Sequence, residues 1–310
     1  MFRTARAFER LAWSVLAYAI AVIVWGAVVR ATGSGAGCGA HWPLCNGEIV
    51  PPAPALQTLI EFGHRTTSGV ILLLTVLLVA AAFRTYPAGH VARRAAVWSM
   101  VFVLIEAGVG AGIVLLRLVE HNASALRAGY VAVHLANTLV LVGMYVWAVF
   151  SARPRPVAEG AATVARLASW LRIGLLGMLI VSAAGAVVAL GDTLFPTMSL
   201  RDGIAADFDP TSHFLIRLRI WHPLLAAALS LFLLTVLVRG DAPDQPAVQT
   251  PARWAMALVL GQVLLGVVNL VFRAPLALQM AHLLVSNLLW VALVWIWLRA
   301  RVAAGGDVRS

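Results

Sequence analysis

The sequence predicts an all-α integral membrane protein whose eight transmembrane helices form two pseudosymmetric four-helix bundles. Of its 310 residues, 61% are hydrophobic and only 12% are charged, and the mean hydropathy is +0.90. A soluble domain does not need that much apolar surface, whereas a chain that crosses a bilayer repeatedly does. Eight long apolar runs and a repeated pattern of histidines are the other two observations behind this prediction.

Each predicted helix is an apolar run of about 20 residues, the length that spans the hydrocarbon core of a bilayer. The runs cover residues 11–30, 62–83, 95–116, 127–150, 171–190, 215–238, 254–272 and 277–298. The first run is too long for a cleavable signal peptide, and no small-residue cleavage site follows it. We therefore expect it to be the first transmembrane helix.

The basic residues predict the orientation of the chain in the membrane. All 23 of them are arginine, and the net charge of +10 would indicate nucleic-acid binding in a soluble protein. Here the arginines fall mostly in loops, and most lie on the same side as the basic segment 1–6. By the positive-inside rule, both termini are expected in the cytoplasm, and no nucleic-acid partner is expected.

The two halves of the chain look like a weak internal repeat. The linker Ser151–Pro156 separates an N-terminal bundle, residues 1–152, from a C-terminal bundle, residues 153–310. Equivalent helices carry equivalent polar residues, which favours a duplicated four-helix bundle with ligands projecting into each core. The matching pairs are His64 with His222, His134 with His282, Glu106 with Gln262, and Gly110 with Gly266.

Four histidines at matched depths indicate metal or cofactor ligands rather than core residues. All four are expected within about two helical turns of the outer ends of their helices, so they form one layer facing the outer side. Two imidazoles from facing helices can be the axial ligands of a haem iron, which predicts one haem in each bundle. Zinc is less favoured because no carboxylate or cysteine cluster completes a tetrahedral site in the second half. A proton relay stays open but does not explain the duplication.

Segment 61–65, Glu-Phe-Gly-His-Arg, distinguishes the two halves. Glu61 lies one helical turn before His64, whereas Arg219 holds the matching position before His222. A carboxylate beside a haem can relay protons or position an oxidant, so the first half is predicted to be the reactive one and Glu61 its catalytic residue. An ion pair between Glu61 and Arg65 is the simpler alternative, and the two interpretations are compatible. The sequence assigns Glu106 no role.

Two further groups of residues lie on the outer side. Cys38 and Cys45 lie in one Gly- and Pro-rich loop, where they can form a local bridge that is either structural or redox-active. Several arginines near the outer helix ends are candidates to bind haem propionates, although snorkelling toward the interface also explains them. These arginines are Arg30, Arg65, Arg217 and Arg219.

These motifs together resemble the haem A synthase family over nearly the whole chain. Val29–Gly35 leading to Cys38, followed by Trp42–Cys45, is similar to the first-loop signature of that family. Glu61-x-x-His64-Arg65 resembles its second-helix motif. The remaining family histidines match His134, His222 and His282.

The resemblance implies oxidation of the C8 methyl group of haem O to the formyl group of haem A, by successive oxygenations through a hydroxymethyl intermediate. It implies that His64 and His134 flank the substrate haem, and that His222 and His282 ligate a haem b. It also implies that Glu61 is the essential carboxylate and that Cys38 and Cys45 form a disulfide. A bacterial plasma membrane with its lipid, an electron donor, a haem O synthase, oxidase assembly factors and a homo-oligomer are the expected context.

Two departures from the family pattern matter. Pro223 follows His222 where relatives often have arginine, and the second half lacks the cysteine pair that some members carry. A thiol relay between the halves is therefore not expected. Two other functions stay open at this point, a non-catalytic dihaem b cytochrome that takes electrons from quinol, and a transporter or haem-handling protein.

Overall fold

A computed structural model describes residues 4–153, 162–240 and 248–304, and these residues form ten α-helices. The described part contains one short 3-10 helix, Ser34–Ala36, and no β-strand beyond an isolated bridge. Both lie between α1 and α2, in residues 32–55, which we call the first outer loop after its predicted side of the membrane. The helices are α1 (Ala5–Ala31), α2 (Leu56–Thr85), α3 (Val91–Leu115), α4 (Ala125–Ser151), α5 (Ala162–Leu194), α6 (Leu200–Phe208), α7 (Phe214–Arg217), α8 (Trp221–Gly240), α9 (Gln249–Val271) and α10 (Leu276–Ala303).

Eight segments of the described chain are long and apolar enough to cross a membrane, which confirms the predicted all-α integral membrane class. Several helices extend beyond the predicted runs. The second was expected to begin at residue 62 but begins at Leu56, and α5 runs from Ala162 to Leu194 instead of 171–190. Hydropathy marks the part of a helix that lies in hydrocarbon, whereas backbone hydrogen bonding continues into polar and arginine-containing turns at either end.

The long helices pack as two rings of four. In the first ring α1 contacts α2 and α4, and α3 contacts α2 and α4; in the second, α5 contacts α8 and α10, and α9 contacts α8 and α10. Contacts of α4 with α5 and α10, and of α1 with α10, join the rings. Helix α4 is the most buried, and Tyr145 and Thr75 share a 2.6 Å hydrogen bond inside the first ring.

The second helix differs between the rings. Helix α2 is continuous and begins six residues before the predicted run 62–83. His64 is therefore its ninth residue and not its third. In the other ring the span 214–240 breaks between α7 and α8, and His222 is the second residue of α8. Pro223 has no N–H to donate to the carbonyl of Arg219, so it is tolerated only in the first turn of a helix. The proline after His222 therefore explains the break.

The segment between the fifth and sixth predicted runs, residues 191–214, is partly helical. It contains α6, whose N-terminus is capped by Ser199, with the hydroxyl accepting a hydrogen bond from the backbone N–H of Asp202. The capping residue and the acidic residue in the first turn are typical of a helix start. Because this helix is short and not apolar throughout, hydropathy alone did not find it.

The ends of α1, α2 and α4 remote from the histidines are tied together by polar contacts. The Tyr86 hydroxyl donates to the carbonyl of Ala152 over 2.6 Å, and Arg153 forms an ion pair with Glu9. Burial and the nearby Glu9 carboxylate raise the pKa of Tyr86 to about 12, so its hydroxyl remains protonated and donates. The linker that was predicted to divide the chain begins here, but its residues 154–156 lie outside the described residues.

Candidate functional site

The four predicted histidines occupy equivalent helices of the two rings. His64 lies on α2 and His134 on α4, while His222 lies on α8 and His282 on α10. The imidazoles of His222 and His282 lie nearly perpendicular to each other, with an interplanar angle of 82° and centroids 6.4 Å apart. His64 and His134 are close enough to interact electrostatically. The structure therefore brings the histidines together as two pairs. The two members of each pair lie on two different helices of the same four-helix ring.

Each histidine ring packs against a glycine of a neighbouring helix, and at three of these four glycines a Cβ atom would crowd the imidazole. A Cβ atom built on these glycines approaches the histidine ring to within van der Waals distance or less. The histidine–glycine pairs, with the distance from this Cβ to Cε1 of the histidine, are His64–Gly26 (2.9 Å), His134–Gly110 (3.7 Å), His222–Gly185 (2.9 Å) and His282–Gly266 (3.3 Å). Gly26 and Gly185 were missed by the sequence analysis, although their spacing is nearly that of His64 and His222.

The histidine nitrogens fit the predicted role of metal ligands. Among the described residues, the buried Nδ1 atoms of His64, His134 and His282 have no hydrogen-bond partner. His222 differs, because its Nδ1 lies 3.0 Å from the carbonyl oxygen of Val181, which leaves its Nε2 available. Buried imidazole nitrogens are normally satisfied, so the unpaired nitrogens of His64 and His282 suit a ligand, whereas Nδ1 of His134 has a carboxylate 3.3 Å away and leaves its Nε2 available. Two facing imidazoles in each ring are the donor set that a haem iron requires.

Glu106, to which the sequence assigned no role, contacts a predicted ligand. Its Oε1 lies 3.3 Å from Nδ1 of His134 and accepts a hydrogen bond from the hydroxyl of Thr138. Its Oε2 accepts from the amide nitrogen of Asn137 over 2.5 Å, and that amide also donates to the carbonyl of Phe102. Donors from α4 therefore hold the carboxylate of α3 beside the histidine. A single sequence did not reveal this contact because it joins two helices.

Glu61 is buried and its carboxylate is fully engaged. Its side chain accepts two hydrogen bonds from Arg65 at Oε1, over 3.0 Å from Nε and 2.5 Å from Nη2, and one from the backbone N–H of Cys38 at Oε2, over 2.8 Å. Arg65 also donates to the carbonyls of His41 and Leu44. The ion pair that was the simpler alternative is thus present. It also fastens the first outer loop to the helix that carries His64.

The first outer loop is closed by a disulfide between Cys38 and Cys45, both of which are buried. The carbonyl of Gly37 accepts a 2.8 Å hydrogen bond from the hydroxyl of Thr58, which fixes the loop on α2. A Cβ atom on Gly37 would lie 2.5 Å from the backbone of Gln57, so no larger residue fits without moving the chain. Close packing on α2 explains why the loop needs glycine at this position.

The first two predicted propionate-binding arginines lie on the N-terminal ring but point to different partners. Arg30, near the end of α1, donates to the carbonyl of Ala189, the hydroxyl of Thr193 and Oε1 of Gln279, over 2.6–2.7 Å. These groups lie on α5 and α10, so Arg30 bridges the two rings. Arg65 is occupied by Glu61 and the outer loop.

The other two candidates lie before α8 and are not equivalent. Arg219 is paired with two carboxylates, at 3.2 Å from Asp192 on α5 and 2.9 Å from Asp207 on α6. Arg217 is exposed at the end of α7. The four arginines therefore do not form one cluster, and three of them already bind protein groups. The contacts of Asp192 and Asp207 with Arg219 could not be predicted from the sequence, because they join α5 and α6 to the segment before α8.

The comparisons with known proteins place the chain in a family. A model of the cytochrome oxidase assembly proteins, COX15-CtaA, matches residues 9–294. This chain belongs to that family. Over 299 residues it is 41% identical to a Thermus thermophilus protein named protoheme IX farnesyltransferase, a match that covers 94% of this chain and 48% of that protein. The chain therefore spans about half the length of the Thermus relatives it matches.

Shorter stretches of this family member match proteins named heme A synthase. The chain is 36% identical over 122 residues to one from Halalkalibacterium halodurans, covering 39% of this chain and 41% of that protein. It is 42% identical over 95 residues to one from Bacillus mycoides, covering 31% and 30%. The suspected haem A synthase family is thus confirmed.

We expect Gly37→Ala to loosen the first outer loop. The new methyl group meets backbone atoms of Gln57, which cannot rotate away, so the overpacking is expected to cost about 1–3 kcal/mol. The disulfide should then be reduced faster by a small thiol reagent, as followed by alkylation of the released cysteines. Gly69→Ala is the matched control because a Cβ on Gly69, within α2, meets no atom within 4 Å. Equal reduction rates for both variants would contradict the proposed packing.

We expect Gly185→Ala to alter the ligand site with little loss of stability. The new methyl group displaces the imidazole of His222, which can rotate, rather than the backbone. The purified protein should therefore retain less haem or show a changed absorption spectrum, while its melting temperature stays near that of the wild type. Gly261→Ala on α9, where a Cβ meets open space, should change neither property. An unchanged spectrum for Gly185→Ala would show that His222 is not a ligand.

Proposed function

We propose that this chain is a haem A synthase, which oxidises the C8 methyl group of haem O to the formyl group of haem A by successive oxygenations in the membrane, with dioxygen as the oxidant. The observation that carries the proposal is a duplicated pair of histidines of which, among the described residues, one pair has a carboxylate in contact with a histidine, in a chain of the cytochrome oxidase assembly family. The names of the Halalkalibacterium and Bacillus relatives support the same reaction.

The two bundles would divide the work. In the N-terminal bundle, residues 1–152, His64 and His134 hold the substrate haem O. In the C-terminal bundle, residues 153–310, His222 and His282 hold a haem b, which supplies one-electron redox chemistry when bound. The unpaired ring nitrogens and the glycines opposite the histidine rings support these ligand assignments. Contacts of α4 with α5 and α10 keep the two sites at a fixed separation.

Glu61 is the proposed catalytic carboxylate of the N-terminal bundle. Both of its oxygens accept hydrogen bonds, from Arg65 and from the N–H of Cys38, so the carboxylate is held in one orientation one turn from His64. Oε1 accepts two hydrogen bonds and Oε2 accepts one, so the remaining acceptor capacity lies on Oε2, beside the N–H of Cys38, and this is where Glu61 would take up a proton. The first outer loop would in this way control how readily Glu61 accepts a proton.

The four outer arginines remain the proposed partners of haem propionates, with different support for each. Arg217 is exposed and can turn toward a ligand. Arg219 and Arg65 would have to share their donors with Asp192, Asp207 and Glu61. Arg30 bridges the bundles through neutral groups, so its charge can still be met by an anion from either site.

The proposed setting is the plasma membrane of a bacterium, with both termini in the cytoplasm and the histidine layer toward the outer side. An electron donor and an oxidase assembly pathway are required by the proposed reaction, and homo-oligomers are compatible with an apolar exterior. A haem O synthase is the proposed supplier of substrate. The farnesyltransferase name of the Thermus relative, whose chain is about twice as long, supports a link between haem farnesylation and this family.

Glu61→Gln tests the function directly. The amide keeps the size of the side chain but accepts a proton poorly, so membranes supplied with haem O should lose haem A formation by at least about 100-fold. Haem b should remain bound. Products are followed by mass spectrometry of extracted pigment, and the exposed Glu48→Gln is the matched control with one carboxylate removed from the same loop region.

Other products would identify other functions. If the wild type retains two haems b, leaves haem O unchanged and is indifferent to Glu61→Gln, the chain is a dihaem cytochrome. If it instead converts protohaem and a farnesyl donor to haem O, the activity named for the Thermus relative resides in this half. Either result would exclude the proposed reaction.

A further inference from the structure

The third long helices of the two rings carry different residues at one equivalent position. Glu106 on α3 and Gln262 on α9 each lie one helical turn before the glycine that faces the histidine of the next helix. Both side chains reach that histidine, His134 in one ring and His282 in the other. The equivalent residues therefore differ in charge and in the histidine nitrogen that they approach, which is Nδ1 of His134 for the carboxylate and Nε2 of His282 for the neutral amide.

The carboxylate of Glu106 is restricted to accepting a hydrogen bond from His134. Asn137 and Thr138 both donate to it, so its oxygens act as acceptors on every side that the structure defines. Nδ1 of His134 is 3.3 Å away and has no hydrogen-bond partner among the described residues. Glu106 is therefore the group to which the N–H of this imidazole can be given. That arrangement leaves Nε2 with its lone pair for a metal.

Neutral groups occupy the corresponding places in the C-terminal ring. The amide nitrogen of Gln262, which can only donate, lies 3.2 Å from Nε2 of His282, and Nδ1 of that imidazole has no hydrogen-bond partner among the described residues, so no carboxylate accepts an N–H of His282. The other histidine of this ring, His222, has its Nδ1 beside the backbone carbonyl of Val181. A histidine whose N–H is given to a carboxylate is a more basic ligand than one that donates to a neutral acceptor.

We propose that Glu106 is a positioning residue of the substrate-haem site, which orients His134, fixes its tautomer and makes it a stronger electron donor to the iron than any ligand of the C-terminal bundle. This inference rests on the proposed function, because it requires haem in both bundles. It predicts that a haem held by His134 has a lower reduction potential than the same haem would have beside a neutral amide. Gln262 is the corresponding neutral residue of the electron-transfer site.

Reciprocal exchanges in the full-length protein test the inference. With haem b and haem O supplied as probes, Glu106→Gln should raise the midpoint potential of the haem in the N-terminal bundle and weaken its retention about 10- to 100-fold. The haem of the C-terminal bundle should be unaffected. Gln262→Glu should do the opposite and lower the potential of the C-terminal haem. His64→Ala and His222→Ala assign each potential to a bundle, and Glu48→Gln controls for the removal of one carboxylate.

The possible outcomes distinguish a failure of this inference from a failure of the proposed function. If the wild type binds no haem, the proposed function fails and the inference fails with it. If it binds two haems and Glu106→Gln changes neither potential nor spectrum, the inference alone is overturned. Should Glu106→Gln release its haem entirely, Glu106→Asp, which keeps a carboxylate, is expected to restore binding with a potential near that of the wild type. Failure of that rescue, with an unchanged potential in Gln262→Glu, would also overturn it.

Discussion

The lack of water in a bilayer is the constraint on which the rest of the structure depends. A polar side chain at that depth must find its partner on another part of the same protein, because hydrocarbon offers none. Glu61 meets Arg65 and a loop N–H, Glu106 meets Asn137 and Thr138, and Arg30 meets groups of α5 and α10. The histidine nitrogens that remain unpaired among the described residues therefore stand out as places for a ligand.

The same constraint explains why glycine accompanies each histidine. An imidazole that leaves room for a large ligand on one side packs closely against a helix on the other, and a side chain at Gly26, Gly185 or Gly266 would crowd that approach. Because all four pairs repeat this arrangement, the duplication preserved a mode of packing as well as the ligands. Changes that leave the glycines intact, such as the break before α8, alter the backbone that leads to a histidine. They do not alter the glycine against which its imidazole packs.

The sequence predicted the parts of the structure that are encoded locally. Apolar runs predicted the eight spans, and matched spacings predicted the pairs His64 with His134 and His222 with His282, because helices in a duplicated bundle return to equivalent positions. Contacts between helices could not be predicted in the same way. The partners of Glu106, and the capture of Arg219 by Asp192 and Asp207, depend on the rotation of each helix about its axis, which no single helix determines.

The two bundles differ in charge at more than one pair of equivalent positions. At the outer end, Glu61 has Arg219 as its counterpart, and deeper along the neighbouring helices Glu106 has Gln262. Arg65 offsets the charge of Glu61, and Asp192 and Asp207 offset that of Arg219. Glu106, whose donors Asn137 and Thr138 are neutral, therefore makes the main difference in charge between the two histidine pairs. Negative charge near a haem stabilises its oxidised, more positive state, whereas a cation or neutral group favours the reduced state. A haem beside Glu106 would then be harder to reduce than one beside Gln262, so this one exchange of residues would separate the reduction potentials of the two proposed sites.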